Sequence, residues 1–168
     1  MEKKINEYHI TIEESNDLAS FYTLYQATWH RRGQNVPISE PFINDIYHAF
    51  ERKNRIKMLV GVSNTGKIAA ANIILVHPNC IYAWIAATDN ELWKTGVHYA
   101  MYSHIIQYYK NLGYPSFDIM MANTKNLVPF AHCFNPRLVP FFIVEKRGVI
   151  NNVLSKIFSY SQKKFNEF

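Results

Sequence analysis

The sequence has little with which to build disulfides or metal sites. Its two cysteines, Cys80 and Cys133, lie far apart, and neither belongs to a CxxC or His–Cys spacing. A disulfide framework or a zinc site is therefore not expected, and no metal is. Long apolar runs are also missing. None reaches the ~20 residues that a membrane helix needs, so no membrane span is expected. The opening "MEKKINEYHI" has no apolar h-region of the secretory kind, which gives the expectation of a soluble, cytoplasmic protein. Nor does charge of one sign accumulate. The small basic clusters at Lys3–Lys4, Arg31–Arg32, Arg52–Arg55 and Lys163–Lys164 are too short for a nucleic-acid arm, and DNA is not an expected partner. Internal repeats, low-complexity segments and linkers are absent as well.

What remains is ordinary globular material. A chain of 168 residues with 48% apolar and 18% charged side chains is expected to be a single domain, 1–168, with a substantial core. The 11 Tyr, 11 Phe and 3 Trp suit a core, a partner surface or an apolar groove. The net charge of +5 suits a phosphate-bearing co-substrate, an acidic substrate or a tRNA, and suits a solvated surface equally.

Patterning divides the chain into elements. "EYHITIEE" alternates apolar and polar residues and predicts a strand. "SNDLASFYTLYQATWHRRG" begins with cap-type residues, carries Leu18, Phe21, Leu24, Tyr25 and Thr28 at helical spacing, and ends at Gly33. After Ser39, "EPFINDIYHAFERKN" predicts a second helix with Phe42, Ile46, Ala49 and Phe50 on its buried face. A three-strand meander follows over Ile56–Ser63, Lys67–His77 and Cys80–Thr88, with "NTGK" and "PN" as its turns. Next comes a helix from about Thr95 to Asn111, with Val97, Met101, Ile105, Tyr108 and Leu112 as its stripe and Gly113 as its stop. "PSFDIMMA" predicts a strand, "TKNLVPFAHCF" a short helix, "LVPFFIVEK" a last strand, and the tail from Val149 a closing helix. The fold class is α+β, with a mixed central sheet of about six to seven strands flanked by helices, two of them after the first strand. The crossover helix puts the Cys80–Thr88 strand and "SFDIMMA" side by side and parallel.

Between those two strands runs "TDNELWKTGVHYAMYSHIIQYYKNLGYPSFDIMMANTKNL", whose helix starts beside one glycine, Gly96, behind Lys94 and Thr95. Free N–H groups and the positive end of the helix dipole make such a start suited to an anion. The same stretch is also what a crossover needs merely to pack a sheet.

This order, with "FYTLYQATWHRRG", "AAANIILV" to "YAWIAATD", "GVHYAMYSHIIQYYKNLGYPSFDI" and "PFAHCFNPRLVPFF", resembles the GNAT acyltransferase fold. It is most similar to the GNAT-like domain of the FemAB/BioF2-like group, which includes peptidoglycan-bridge aminoacyltransferases, over roughly Ile10 to Glu145. The resemblance implies an N-acyltransferase using acyl-CoA, acetyl-CoA or longer, on a small-molecule or peptide amine. It implies a pantetheine arm along Ala86, Ala87 and Thr88 and a pyrophosphate at Lys94, Thr95, Gly96 and Val97; Asn123, just after the fourth strand, can hydrogen-bond the co-substrate or serve as ordinary turn chemistry. Ordinary GNAT turns read Q/R-x-x-G-x-G/A; here Trp93 and His98 replace the outer positions and only Gly96 matches. In "PFAHCFNPRLVP", Phe130 and Phe134 match relatives, while Ala131 replaces a lysine and Asn135 a glycine. Asparagine tolerates the left-handed turn. Bridge-forming relatives usually carry two such domains, so a homodimer that rebuilds their cleft is a possible assembly. An aminoacyltransferase using aminoacyl-tRNA and a non-catalytic protein-binding module are the alternatives.

The candidate catalytic residues each have a plainer reading. Asp118 can serve as general base or hold a water, or can simply order the sheet. His98 can accept the amine proton, or be a surface histidine at a helix start. Tyr82 can act as general acid, or be a core tyrosine. His30, Arg31 and Arg32 can bind an acidic substrate, or complement the dipole at a helix C-terminus. Cys133 has no base beside it in sequence and is expected to be a buried apolar residue rather than a nucleophile.

Overall fold

The computed structural model describes residues 10–92, 95–121 and 127–140. The chain divides into one compact unit, Met1–Phe134, and a second, Asn135–Phe168. Every helix and strand described here belongs to the first.

The order is β1 (Thr11–Glu14), α1 (Leu18–His30), α2 (Glu40–Glu51), β2 (Ile56–Val62), β3 (Ile68–His77), β4 (Cys80–Thr88), α3 (Val97–Asn111), β5 (Phe117–Asp118) and α4 (Val128–His132). The strands form one open sheet in the order β1-β2-β3-β4-β5. All neighbours are antiparallel except β4 and β5, which are parallel as the crossover requires. This is the expected mixed α+β fold, with five strands among the described residues rather than six or seven. Leu138 to Pro140, expected to open a last strand, are irregular. The rest of that strand and the tail helix lie outside the described residues, as do Trp93, Lys94 and Asn123. No helix among the described residues is long and apolar enough to cross a membrane.

The local signals work as their chemistry dictates. Asp17 caps α1 by accepting the Ser20 N–H at 3.0 Å, and Gly66 at φ 80° turns the β2–β3 hairpin. Asn135 adopts φ 49°, the left-handed turn that its side chain tolerates. One face of the sheet buries Phe21 and Tyr25 of α1 and Ile43 and Tyr47 of α2 against Met58, Val60, Ile73 and Ile85. The other face buries Val97, Met101, Ile105 and Tyr109 of α3 against Leu59, Ala70, Ile74 and Ile81.

Three expectations need correction. Helix α2 buries Ile43 and Tyr47, whereas Phe42 is 51% and Phe50 42% exposed. Helix α3 ends its stripe on Tyr109, leaving Tyr108 and Leu112 exposed. Cys133 is exposed rather than buried.

Candidate functional site

Strand β4 pairs with β3 along its whole length, but with β5 only at Ile81↔Phe117 and Tyr82↔Asp118. Among the described residues, the six from Ala83 to Thr88 then have no strand on that side. Two local features open this gap. Ile73 pairs with Ile85 and Ile74 with Ala83, so Trp84 is an extra residue, a bulge that bends β4 away. On the other side, Met120 enters the left-handed region at φ 56° and donates its N–H to Asp118 Oδ1 at 2.7 Å. That turn ends β5 after two residues, where "PSFDIMMA" predicted a longer strand.

The bulge also changes which backbone groups face the gap. Before it, the Ile81 N–H donates to Ser116 O on the β5 side, at 3.0 Å; after it, the Asp89 N–H donates to Ala69 O on the β3 side, at 2.9 Å. Antiparallel alternation then turns the N–H and C=O of Ala86 and Thr88 toward the open edge. Those of Thr88 are already engaged. Its N–H donates to Thr28 Oγ1 at 2.9 Å, and its carbonyl accepts from Thr28 Oγ1 at 3.1 Å and from Arg31 Nη1 at 3.3 Å. Beyond the bulge, Ala86 is left as the residue presenting strand backbone to the gap; before it, Ala83 faces the same side.

From the opposite face, His98 of α3 turns its Nε2 onto the Thr88 hydroxyl. Its Nδ1 is enclosed and has no partner among the described residues. Burial, reinforced by the charges of Arg31 and Arg32, pushes this imidazole down to about 4, so it is neutral at neutral pH. The ring thus faces inward; it is not the surface histidine of the plainer reading. Asn72, in register with Ala86 and on the same face as Leu59, is 1% exposed, and both its amide atoms lack partners among the described residues.

Gly96 caps α3 at φ 85°, and the N–H groups of Tyr99 and Ala100 fold back onto its carbonyl at 2.9 and 3.3 Å. Among the described residues an added Cβ would meet only Tyr99 Cδ2, at 3.9 Å, and the positive φ calls for glycine. Thr95 donates its hydroxyl to Leu92 O at 2.6 Å, and Val97 is buried in the core; their side chains hold the turn. Beside this turn, Tyr99 and Tyr102 pack against Phe130, at 4.5 and 5.2 Å between ring centres, and against Phe134.

The structure therefore brings together Thr88, His98 and Arg31, with Asn90 accepting from Arg31, and places Ala86 and Gly96 on the adjoining strand edge and helix start. Ala87 is buried on the α1 face. His30 and Arg32 are exposed at the end of α1, where Arg32 lies 5.4 Å above the Trp29 ring. Tyr82 and Asp118 are neighbours in register at the closed end of the gap, roughly 20 Å along the strand from Thr88. Thr28 and Asn72 were not singled out by sequence. Each had one signal, a polar residue inside an otherwise apolar stripe or run. A surface cleft of about 300 Å³ lined by Glu14, Tyr47, Glu51 and Lys57 lies near Ile56, away from the Thr88 end of the sheet; its Lys57 is paired to Glu14 at 2.9 Å.

A bulged strand parting from a parallel neighbour beside a glycine-capped helix is a specific arrangement, and the sequence comparison agrees with it. Residues 2–126 match the family described as the acetyltransferase (GNAT) domain. The chain belongs to the GNAT acetyltransferase family. Solved structures resemble this GNAT domain in fold. An acetyltransferase from Trypanosoma brucei aligns with a TM-score of 0.60 at 15% identity, over 82% of this chain and 99% of its own. An aminoglycoside acetyltransferase from an uncultured soil metagenomic sample, solved with sisomicin, gives 0.61 at 18% over 84% and 99%. AAC(6')-Iy, solved with a bisubstrate analogue, CoA-S-monomethyl-acetylneamine, gives 0.64 at 10% over 83% and 99%. At such identities the likeness is one of fold alone. No curated protein sequence matches the chain.

Proposed function

We propose that this GNAT domain transfers an acyl group from an acyl-CoA thioester to an amine on a small-molecule or peptide acceptor, by direct attack in a ternary complex. The observation that carries the reading is the open β4 edge at Ala86 leading to the Gly96-capped start of α3. At Ala86 that edge offers one N–H and one C=O, the complement of a pantetheine amide. The helix start offers N–H groups and dipole to a pyrophosphate, with Thr95 and Val97 holding the turn and Lys94 adding charge in this reading. His98, bulkier than the usual glycine or alanine, keeps the anion nearer the Gly96 side. The thioester supplies the activated acyl group; the protein's contribution is to position it and polarise its carbonyl with strand N–H groups.

For proton transfer, Asp118 and Tyr82 sit as a pair at the closed end of the gap, while His98 is neutral and able to accept a proton once Thr88 releases it. Asn123 would bond the co-substrate, and Arg31, Arg32 and His30 would meet an acidic group of the acceptor. The sisomicin and CoA-analogue complexes of the fold relatives support this class of reaction. Within the family we place the chain in the FemAB/BioF2-like group, because Gly96 alone remains of the phosphate-turn motif.

A second reading, a non-catalytic protein-binding module, rests on the inward-turned His98 and the packed rings of Tyr99, Tyr102, Phe130 and Phe134. Calorimetry and thermal shift with acetyl-CoA, a longer acyl-CoA and free CoA separate the two. Micromolar binding, lost in a Gly96→Tyr variant that still folds, is expected. Absence of binding to any CoA at millimolar concentration would remove the acyl-CoA reading.

A further inference from the structure

An open strand edge several residues long can grip an amide at more than one register, since the groups facing the gap recur every second residue, about 6.6 Å apart. In this chain two residues beyond the bulge face the gap, Ala86 and Thr88, and of these Ala86 is available; before the bulge, Ala83 faces the same side, next to the pairing that ends at Tyr82↔Asp118. Thr28, on the buried stripe of α1, is itself 3% exposed and reaches Thr88, 4% exposed, from the α1 side of the sheet. Its hydroxyl accepts the Thr88 N–H at 2.9 Å and shares its own proton between the carbonyls of Leu24, at 2.9 Å, and Thr88, at 3.1 Å. The Arg31 guanidinium adds a second donor to the same carbonyl, and His98 holds the Thr88 side chain from the α3 side.

We propose that Thr28 is a positioning residue, which closes the Thr88 register and leaves Ala86 as the residue beyond the bulge at which β4 grips the amide of its ligand. The proposal rests on the acyl-CoA reading above. It assigns to a helix hydroxyl the role that a sixth strand residue would otherwise contest. A strand end that is bulged and unpaired on one side would fray without such a pin. Closing one register also lowers the number of ways a flexible arm can bind unproductively.

Two measurements test it. The first is amide hydrogen exchange by NMR on the wild-type protein. In the free protein, Thr88 N–H should be protected and Ala86 N–H should exchange freely; acetyl-CoA should protect Ala86 and leave Thr88 unchanged. Equal exchange at the two amides in the free protein, or protection of Ala86 before any ligand is added, would overturn the proposal. The second compares acetyl-CoA with 3′,5′-ADP, the nucleotide end of the same molecule without its amide-bearing arm. Thr28→Val should weaken acetyl-CoA binding by at least about tenfold while changing 3′,5′-ADP binding by less than about twofold, and Thr28→Ser should restore both. Equal weakening of both ligands would make Thr28 merely structural. Should Thr28→Val not fold, the exchange experiment decides alone. A wild-type protein that binds neither ligand fails the acyl-CoA reading itself, and the proposal with it; a wild-type protein that binds both while Ala86 and Thr88 behave alike fails the proposal only.

Discussion

At the scale of single residues, His98 couples the gap to pH. The unfolded imidazole titrates near its ordinary value, whereas the folded one is depressed to about 4 because its ring nitrogens are enclosed and two guanidinium groups lie near. Between those values the unfolded chain carries the extra proton, so stability falls as the pH drops through 6.5 toward 4 and is unaffected above 6.5. One such proton costs up to about 1.4 kcal/mol per pH unit, on the order of 3 kcal/mol across the window. Carboxylates titrate in the lower part of the same range, so the informative quantity is a difference. Urea unfolding of wild type and His98→Gln at pH 7, 6, 5 and 4 should give curves that converge as the pH falls, with the variant losing less. Parallel curves would mean that His98 carries its proton in the folded state and is not sealed against Thr88.

At the scale of elements, the position of α3 depends on a glycine in the strand beneath it. Gly61 in β2 has ordinary extended backbone, yet a Cβ there would stand 3.2 Å from Ile10 Cγ2, 3.2 Å from Val97 Cγ2 and 3.4 Å from Met101 Sδ. Those atoms belong to branched or enclosed side chains with little room to yield. Gly61→Ala should therefore cost about 1–3 kcal/mol, read as a fall of several degrees in Tm, and should shift the start of α3 that carries Gly96 and His98. An unchanged Tm would show that α3 rides more loosely on the sheet than its contacts indicate. The elements themselves were largely legible: caps, turns and the Leu18–Phe21–Tyr25–Thr28 stripe located α1 and the meander to within a residue or two. Helix α2 was placed correctly but turned, since Phe42–Ile46–Phe50 and Ile43–Tyr47 are both i, i+4 series one residue apart and only the sheet chooses between them. The candidate site was less legible. Gly96 announced itself, but the Trp84 bulge and the two-residue β5 arise from tertiary pairing, and the tie between Thr28 and Thr88 spans α1 and β4, which no local pattern reports.

At the scale of the whole molecule, a net charge of +5 leaves open whether the natural anion is a compact cofactor or a polymer. Several described cations are already paired. Lys67 is bound to Asp89 and Glu91 at 3.0 and 2.9 Å, and Lys57 to Glu14 at 2.9 Å, while Arg31 is committed to Thr88 O and Asn90. These three cations are engaged within the protein, which lowers what they offer to a run of phosphates. Acetyl-CoA, held by one helix start and one strand residue, should lose less than about tenfold in affinity between about 50 and 200 mM salt, because only a few screened charges are involved. A tRNA held through six to ten phosphates would lose about a thousandfold or more over the same range. Titrating both ligands at the two salt concentrations therefore tests the donor directly. Weak, salt-insensitive tRNA binding beside micromolar acetyl-CoA binding is the expected result. Tight tRNA binding that collapses with salt, in a protein indifferent to acetyl-CoA, would reassign the open edge at Ala86 to an aminoacyl donor.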